Sequence, residues 1–214
     1  MVGRFKKLIK ILIFFFKRSF FQLSYTYASY KEYIIHILQG GNFESRLKKG
    51  ICLTSINDLI SKNQSKRLAV YVAFHAKNAI PQSNLKYVQS LLNCSFDVLY
   101  LHNGYLNQDS INILKDIGCF VICRENIGQD FGAWKDIILY LNKYNLLNKL
   151  NWLLICNDSN FYTGGINGEA FETRFKERLK NRSDKDFISL LCSYQMLLHH
   201  QSYFLCFSNT ILKS

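Results

Sequence analysis

The sequence predicts an α/β domain with a Rossmann-like, mostly parallel sheet and helices on both faces, running from Leu68 to Cys192. Short apolar runs rich in β-branched and aromatic residues alternate there with segments of helical period. Of the 214 residues, 49% are apolar and 20% charged, which suffices to bury a core and excludes wholesale disorder. One proline, Pro81, and 11 glycines exclude collagen-like, proline-rich and linker-like architectures.

Each element follows in turn. Residues 68–74 (LAVYVAF) form the first strand and 84–92 the first helix. Residues 96–101 (FDVLYL) and 108–117 repeat the pair, then 119–123 (CFVIC) and 131–144. Residues 152–156 (WLLIC) make a fourth strand, 169–179 a basic helix and 187–192 a fifth strand. Strands joined by helical crossovers lie parallel, and right-handed crossovers gather their C-terminal ends along one edge, where ligands bind. The basic stretch 174–182 contains Glu177 and has helical spacing, as a solvated face does.

Charge is uneven. The net charge is +12, and the first 31 residues hold Arg4, Lys6, Lys7, Lys10, Lys17, Arg18 and Lys31 with no acid. On a helical wheel Phe5, Leu8, Ile9, Leu12, Phe16 and Phe20 gather opposite most of the lysines, so the segment is predicted to be an amphipathic helix. Such a helix lies on an anionic membrane surface or packs its apolar side on the domain. The run 11–16 is far short of the ~20 residues that span a bilayer, and no small-x-small site marks a signal peptide. The expected division is a basic arm and helical connector over 1–66, then one domain over 67–214.

Several functions are disfavoured. The aromatic residues do not interleave with Lys and Arg as a base-stacking platform does, so no nucleic-acid partner is expected. Neither GxSxG nor a P-loop is present. Seven cysteines without a CxxC pair look like reduced core residues in a cytoplasmic protein.

Two loops carry most of the chemistry. Arg124-Glu-Asn-Ile-Gly-Gln-Asp-Phe-Gly-Ala-Trp134 places Asn126, Gly128, Asp130 and Gly132 between a buried strand and a helix. Gly128 permits a positive φ or close backbone approach to a ligand, Gly132 permits tight helix packing, and Asp130 is either a helix cap or a hydroxyl acceptor. The second loop, Asn157-Asp158-Ser159, ends the fourth strand with one carboxylate and two neutral oxygens. That set suits Mg²⁺ or Mn²⁺ shared with a diphosphate, and an Asx-turn at a strand exit has the same composition.

The order of a strand followed by His75, then 124–136, then Asn157-Asp158-Ser159, then 200–207 is similar to the rhamnan synthesis protein F family of bacterial polysaccharide glycosyltransferases. The resemblance runs from about Leu68 to Ser214. It implies a GT-A-like nucleotide-sugar domain, a nucleotide-sugar donor, a divalent cation at Asp158, and transfer of a rhamnose-like deoxyhexose to a lipid-linked saccharide at the inner face of the membrane. It places His75, Arg124, Asn126, Gly128, Gly132, Asn157 and Ser159 around the substrate, with Asp158, Asp130 and His200 as catalytic candidates. Asn160-Phe-Tyr-Thr163 and Ile188-Ser-Leu-Leu-Cys-Ser193 depart from the family pattern, which leaves the general base open among Asp186, Glu169 and His200. A member that binds without turnover is the alternative expectation, and a basic RNA-binding protein a more distant one.

Overall fold

The computed structural model describes residues 66–159, 169–181, 187–189, 192–193, 199–200 and 204–213. The predicted basic arm, the connector up to residue 65, Asp186 and the 160–163 segment lie outside the described residues. Among the described residues no helix is long and apolar enough to cross a membrane.

The chain alternates strands and helices: β1 (Arg67–Ala73), α1 (Gln82–Asn93), β2 (Asp97–Asn103), α2 (Gln108–Asp116), β3 (Phe120–Arg124), α3 (Gln129–Lys143) and β4 (Trp152–Asn157). There follow α4 (Glu169–Lys180), β5 (Phe187–Ser189), β6 (Cys192–Ser193), β7 (His199–His200), β8 (Phe204–Ser208) and α5 (Asn209–Lys213). Six strands form one sheet in the order β3-β2-β1-β4-β8-β5. β1 pairs in parallel with β2 and with β4, and β2 with β3, whereas β8 runs antiparallel to both β4 and β5.

Alternation along β1 shows why both faces need cover. Leu68, Val70 and Val72 point to a layer with Ala133, Trp134, Ile137 and Leu141 of α3. Ala69, Tyr71 and Ala73 point to the other, with Val88 and Leu91 of α1, Leu114 of α2 and Phe175 and Leu179 of α4. The six residues from Leu68 to Ala73 are fully buried, which makes β1 the central strand and explains its unbroken apolar sequence.

The expected mostly parallel sheet is present, and one expectation needs correction. The fifth strand stops at Ser189, because Cys192–Ser193 pairs instead with His199–His200 in a separate two-stranded ribbon. The sheet is also mixed: β8 inserts between β4 and β5 with reversed direction. An apolar run carries no direction, since pairing in either sense buries the same side chains. Cys94, Cys119, Cys123, Cys156 and Cys206 are buried thiols outside any disulfide, and burial pushes the Cys94 thiol up to about 11, as inert core thiols require.

Candidate functional site

The connections after β1 and β3 leave in opposite directions. α1 leads from β1 to β2 on one side, and α3 carries the chain from β3 past β1 to β4 on the other. The order therefore switches between β1 and β4, and the crevice at their C-terminal ends is the default ligand position in such a sheet. β1 ends there in Phe74 and His75, and β4 in Asn157 and Asp158.

Register closes the two ends together. Val72 pairs with Asn157, and the Asp158 amide donates to Val72 O at 3.1 Å. Asp158 Oδ2 then accepts the Phe74 amide at 2.9 Å and lies 3.7 Å from His75 Nδ1. Asn157 Nδ2 donates to Asp130 Oδ2 at 2.7 Å, which joins the first turn of α3 to the same place. Asn157 Oδ1 accepts the Ser159 amide at 3.4 Å, an Asx-type turn that directs the chain out of the strand. Four residues chosen from sequence, His75, Asp130, Asn157 and Asp158, thus converge from three segments of the chain.

The electrostatics are those of two half-buried carboxylates held close. Burial raises the Asp130 pKa above the ordinary carboxylate range; the Asn157 bond opposes the rise and the Asp158 charge adds to it. Burial likewise raises Asp158, against the amide bonds that favour its charge. His75 is lowered by burial, opposed by a bond to the Phe74 backbone, so the ring is neutral at pH 7.

The loop before α3 keeps its sequence reading at Gly128 and Gly132 and departs from it at Arg124. Arg124 is fully buried: its guanidinium pairs with Asp136 at 2.9 Å and donates to Asn103 Oδ1 at 2.6 Å and to Ile127 O at 2.8 Å. Its charge is held under the loop, and it props up the turn from beneath rather than meeting a ligand. Gly128 adopts φ +71° and Gln129 φ +50°, so the left-handed turn expected of a glycine continues into a residue with a side chain. Gly128 is the N-cap of α3, and Asp130 lies one residue inside the first turn, free to reach Asn157. A Cβ at Gly132 would collide with Ile127 O, so that glycine is what lets the helix seat against the loop. Asn126 is exposed on this loop, and Ser159 is exposed after β4. His200 lies in β7, and its side chain, like that of Glu169, is outside the described residues.

Sequence reasoning missed Tyr100 and gave no partner to His102, which it placed only in the polar stretch that ends the second strand. Tyr71 pairs in register with Tyr100 and Ala73 with His102, which puts both β2 residues on the sheet face shared by His75. His102 Nε2 accepts the His75 amide at 3.1 Å, and Tyr100 Oη lies 2.7 Å from His75 Nε2. The signal was present as a polar residue every second position in an apolar strand, but only the pairing register tells which residue each one meets.

Among the described residues no group of three or more His, Cys, Asp or Glu is placed to hold a metal ion. Asp130 and Asp158 are the carboxylates at this edge, and Mg²⁺ completed by substrate phosphates is usually held by one or two such groups. Asp130 and Asp158 each have one oxygen engaged by a protein donor, and the Asp158 charge adds to the cost of ionising Asp130. Scanned against models of protein families and searched against curated proteins, the chain matches none.

Proposed function

We propose that this chain is a nucleotide-sugar-dependent glycosyltransferase with a GT-A-like domain, as its resemblance to the rhamnan synthesis protein F family implies. The observation that carries the reading is the meeting of Asp130, Asn157, Asp158 and His75 at the switch point of the sheet. Residues from three segments far apart in sequence share one edge of the sheet, the edge at which ligands bind in sheets of this topology. The mixed six-strand sheet with helices on both faces is compatible with such a domain.

In this reading the donor diphosphate lies at the ends of β1 and β4. Asp158, with Asp130 beside it, holds Mg²⁺ or Mn²⁺, which offsets the charge that builds on the departing nucleoside diphosphate. The Gly128 turn brings the N-terminus of α3 and the exposed Asn126 within the same rim to contact nucleotide or sugar. The acceptor is a lipid-linked saccharide, and the basic segment 1–31 holds the enzyme at the membrane surface that carries it.

Titration calorimetry with a panel of nucleoside-diphosphate sugars, with and without Mn²⁺, tests this. The expected result is Mn²⁺-dependent binding of at least one donor, lost in Asp158→Asn while the circular dichroism spectrum is kept. Absence of binding by every donor to the full-length protein overturns the proposal. Binding without release of nucleoside diphosphate identifies the non-catalytic member instead.

A further inference from the structure

The outer side of α3 combines features found on no other described helix. Ala133, Trp134, Ile137 and Leu141 face the sheet, while Phe131, Lys135, Leu139 and Lys143 follow one another at four-residue spacing down the exposed side. The stripe is about 18 Å long at the rise of an α-helix. Phe131 is 68% exposed and Leu139 54%, and Ile138 is partly buried beside them. Tyr144 at the C-cap is 42% exposed, with Lys143 Nζ 5.2 Å from its ring centroid. Exposed apolar side chains are ordinary when scattered singly; a row of them with lysines between marks a surface that meets something.

The other described helices differ. α1 and α4 expose no large apolar residue. α2 and α5 expose one each, Ile113 and Ile211, and Ile113 stands one turn from the exposed acids Asp109 and Asp116. On α3 both acids are withdrawn: Asp136 is buried against Arg124, and Asp130 bonds Asn157. The stripe therefore carries positive charge only, with Glu125 exposed on the loop that precedes it. Lysine among apolar side chains suits lipid better than protein. It is depleted where proteins meet, whereas at a bilayer its stem lies along the acyl boundary and its ammonium group meets headgroup phosphates.

We propose that the outer side of α3 is a docking face for an anionic bilayer, with Phe131 and Leu139 entering the boundary between headgroups and acyl chains and Lys135 and Lys143 at the phosphates. A face of this size is too small to hold a protein alone. It acts with the basic segment 1–31, two weak anchors together giving what neither gives singly. It also fixes which way the domain lies, because α2 packs on the opposite face of the sheet and so points away from the lipid. Phe131 follows Asp130, the residue that reaches Asn157 at the crevice, so docking brings the crevice beside the bilayer. The face stands on the composition of α3; the partnership with 1–31 and the delivery of a lipid-linked acceptor rest on the proposed function.

Full-length Leu139→Trp and Ile113→Trp add an indole on opposite sides of the sheet, over the same background from the buried Trp134 and Trp152. Each is mixed with vesicles of phosphatidylcholine and phosphatidylglycerol, with or without bromine on the acyl chains. Bromine should quench the added fluorescence of Leu139→Trp and leave that of Ile113→Trp unchanged. Phe131→Ser combined with Leu139→Ser should weaken partition of the full chain to these vesicles about tenfold. Equal quenching of the two indoles, no quenching in Leu139→Trp, or failure of the wild type to bind the anionic vesicles overturns the proposal. Emission from Leu139→Trp that is already blue-shifted before lipid is added means that protein covers the stripe, and overturns it too. Calorimetry with donors separates the two ideas: the expected quenching without donor binding sinks the transferase reading and leaves the docking face standing, and donor binding without quenching does the reverse.

Discussion

Replacing Arg124 by methionine leaves Asp136 as a buried carboxylate without its guanidinium partner, a loss of about 3–5 kcal/mol for a broken buried pair. Urea denaturation should read that loss, and an effect on donor binding alone, at unchanged stability, would return Arg124 to the ligand. Asp130 has the opposite problem, being charged where burial and Asp158 disfavour charge. Its folded pKa lies above its unfolded value near 3.8, so the stability its neutral form contributes is complete below 3.8 and is lost as pH rises through the folded pKa. Asp130→Asn, which still accepts from Asn157, should therefore be more stable than wild type at neutral pH, with the gap closing in acid. Thermal melts across that range check the sign. The sequence exposes the identity of such residues but not their depth: Arg124 and Asp158 both follow apolar strands, yet one is roofed by the 125–127 turn and the other opens to the crevice.

At the scale of elements, the turn into α3 is the most constrained piece near the site. Gly132→Ala places a methyl group against Ile127 O, a backbone atom that moves only with the loop, and should cost about 1–3 kcal/mol as overpacking does. Because the displaced turn carries Asp130, the Asn157 bond should weaken too, which is measurable as a change in the Asn157 side-chain amide signals. Element types were legible because period and composition agree in β1 to β4 and α1 to α3. The short β6–β7 ribbon was not, since strands of two residues have no period to detect. Residues 119–123 were expected as a strand and the structure begins it at Phe120, a shift of the ordinary size for strand ends.

For the whole molecule, the parallel block β3-β2-β1-β4 follows from alternating strands and helices, and with it the edge where the site lies. The sense of β8 does not follow, because its apolar run can pair with the open side of β4 in either direction. The proposed membrane role belongs to this scale. Deleting residues 1–31 removes seven of the 27 basic side chains and should abolish co-sedimentation with vesicles containing anionic lipid while leaving donor binding unchanged. Equal sedimentation of both proteins would detach the basic arm from the bilayer.

Position in space and order of synthesis disagree in one place. β5 touches the main sheet, among the described residues, through β8 alone, although β8 leaves the ribosome after it. The first four strands can zip together vectorially, but β5 has no docking place until the later segment arrives and caps the open side of β4. Until then a nascent chain displays an unpaired apolar β4 margin, so translation pausing within that interval should raise misassociation.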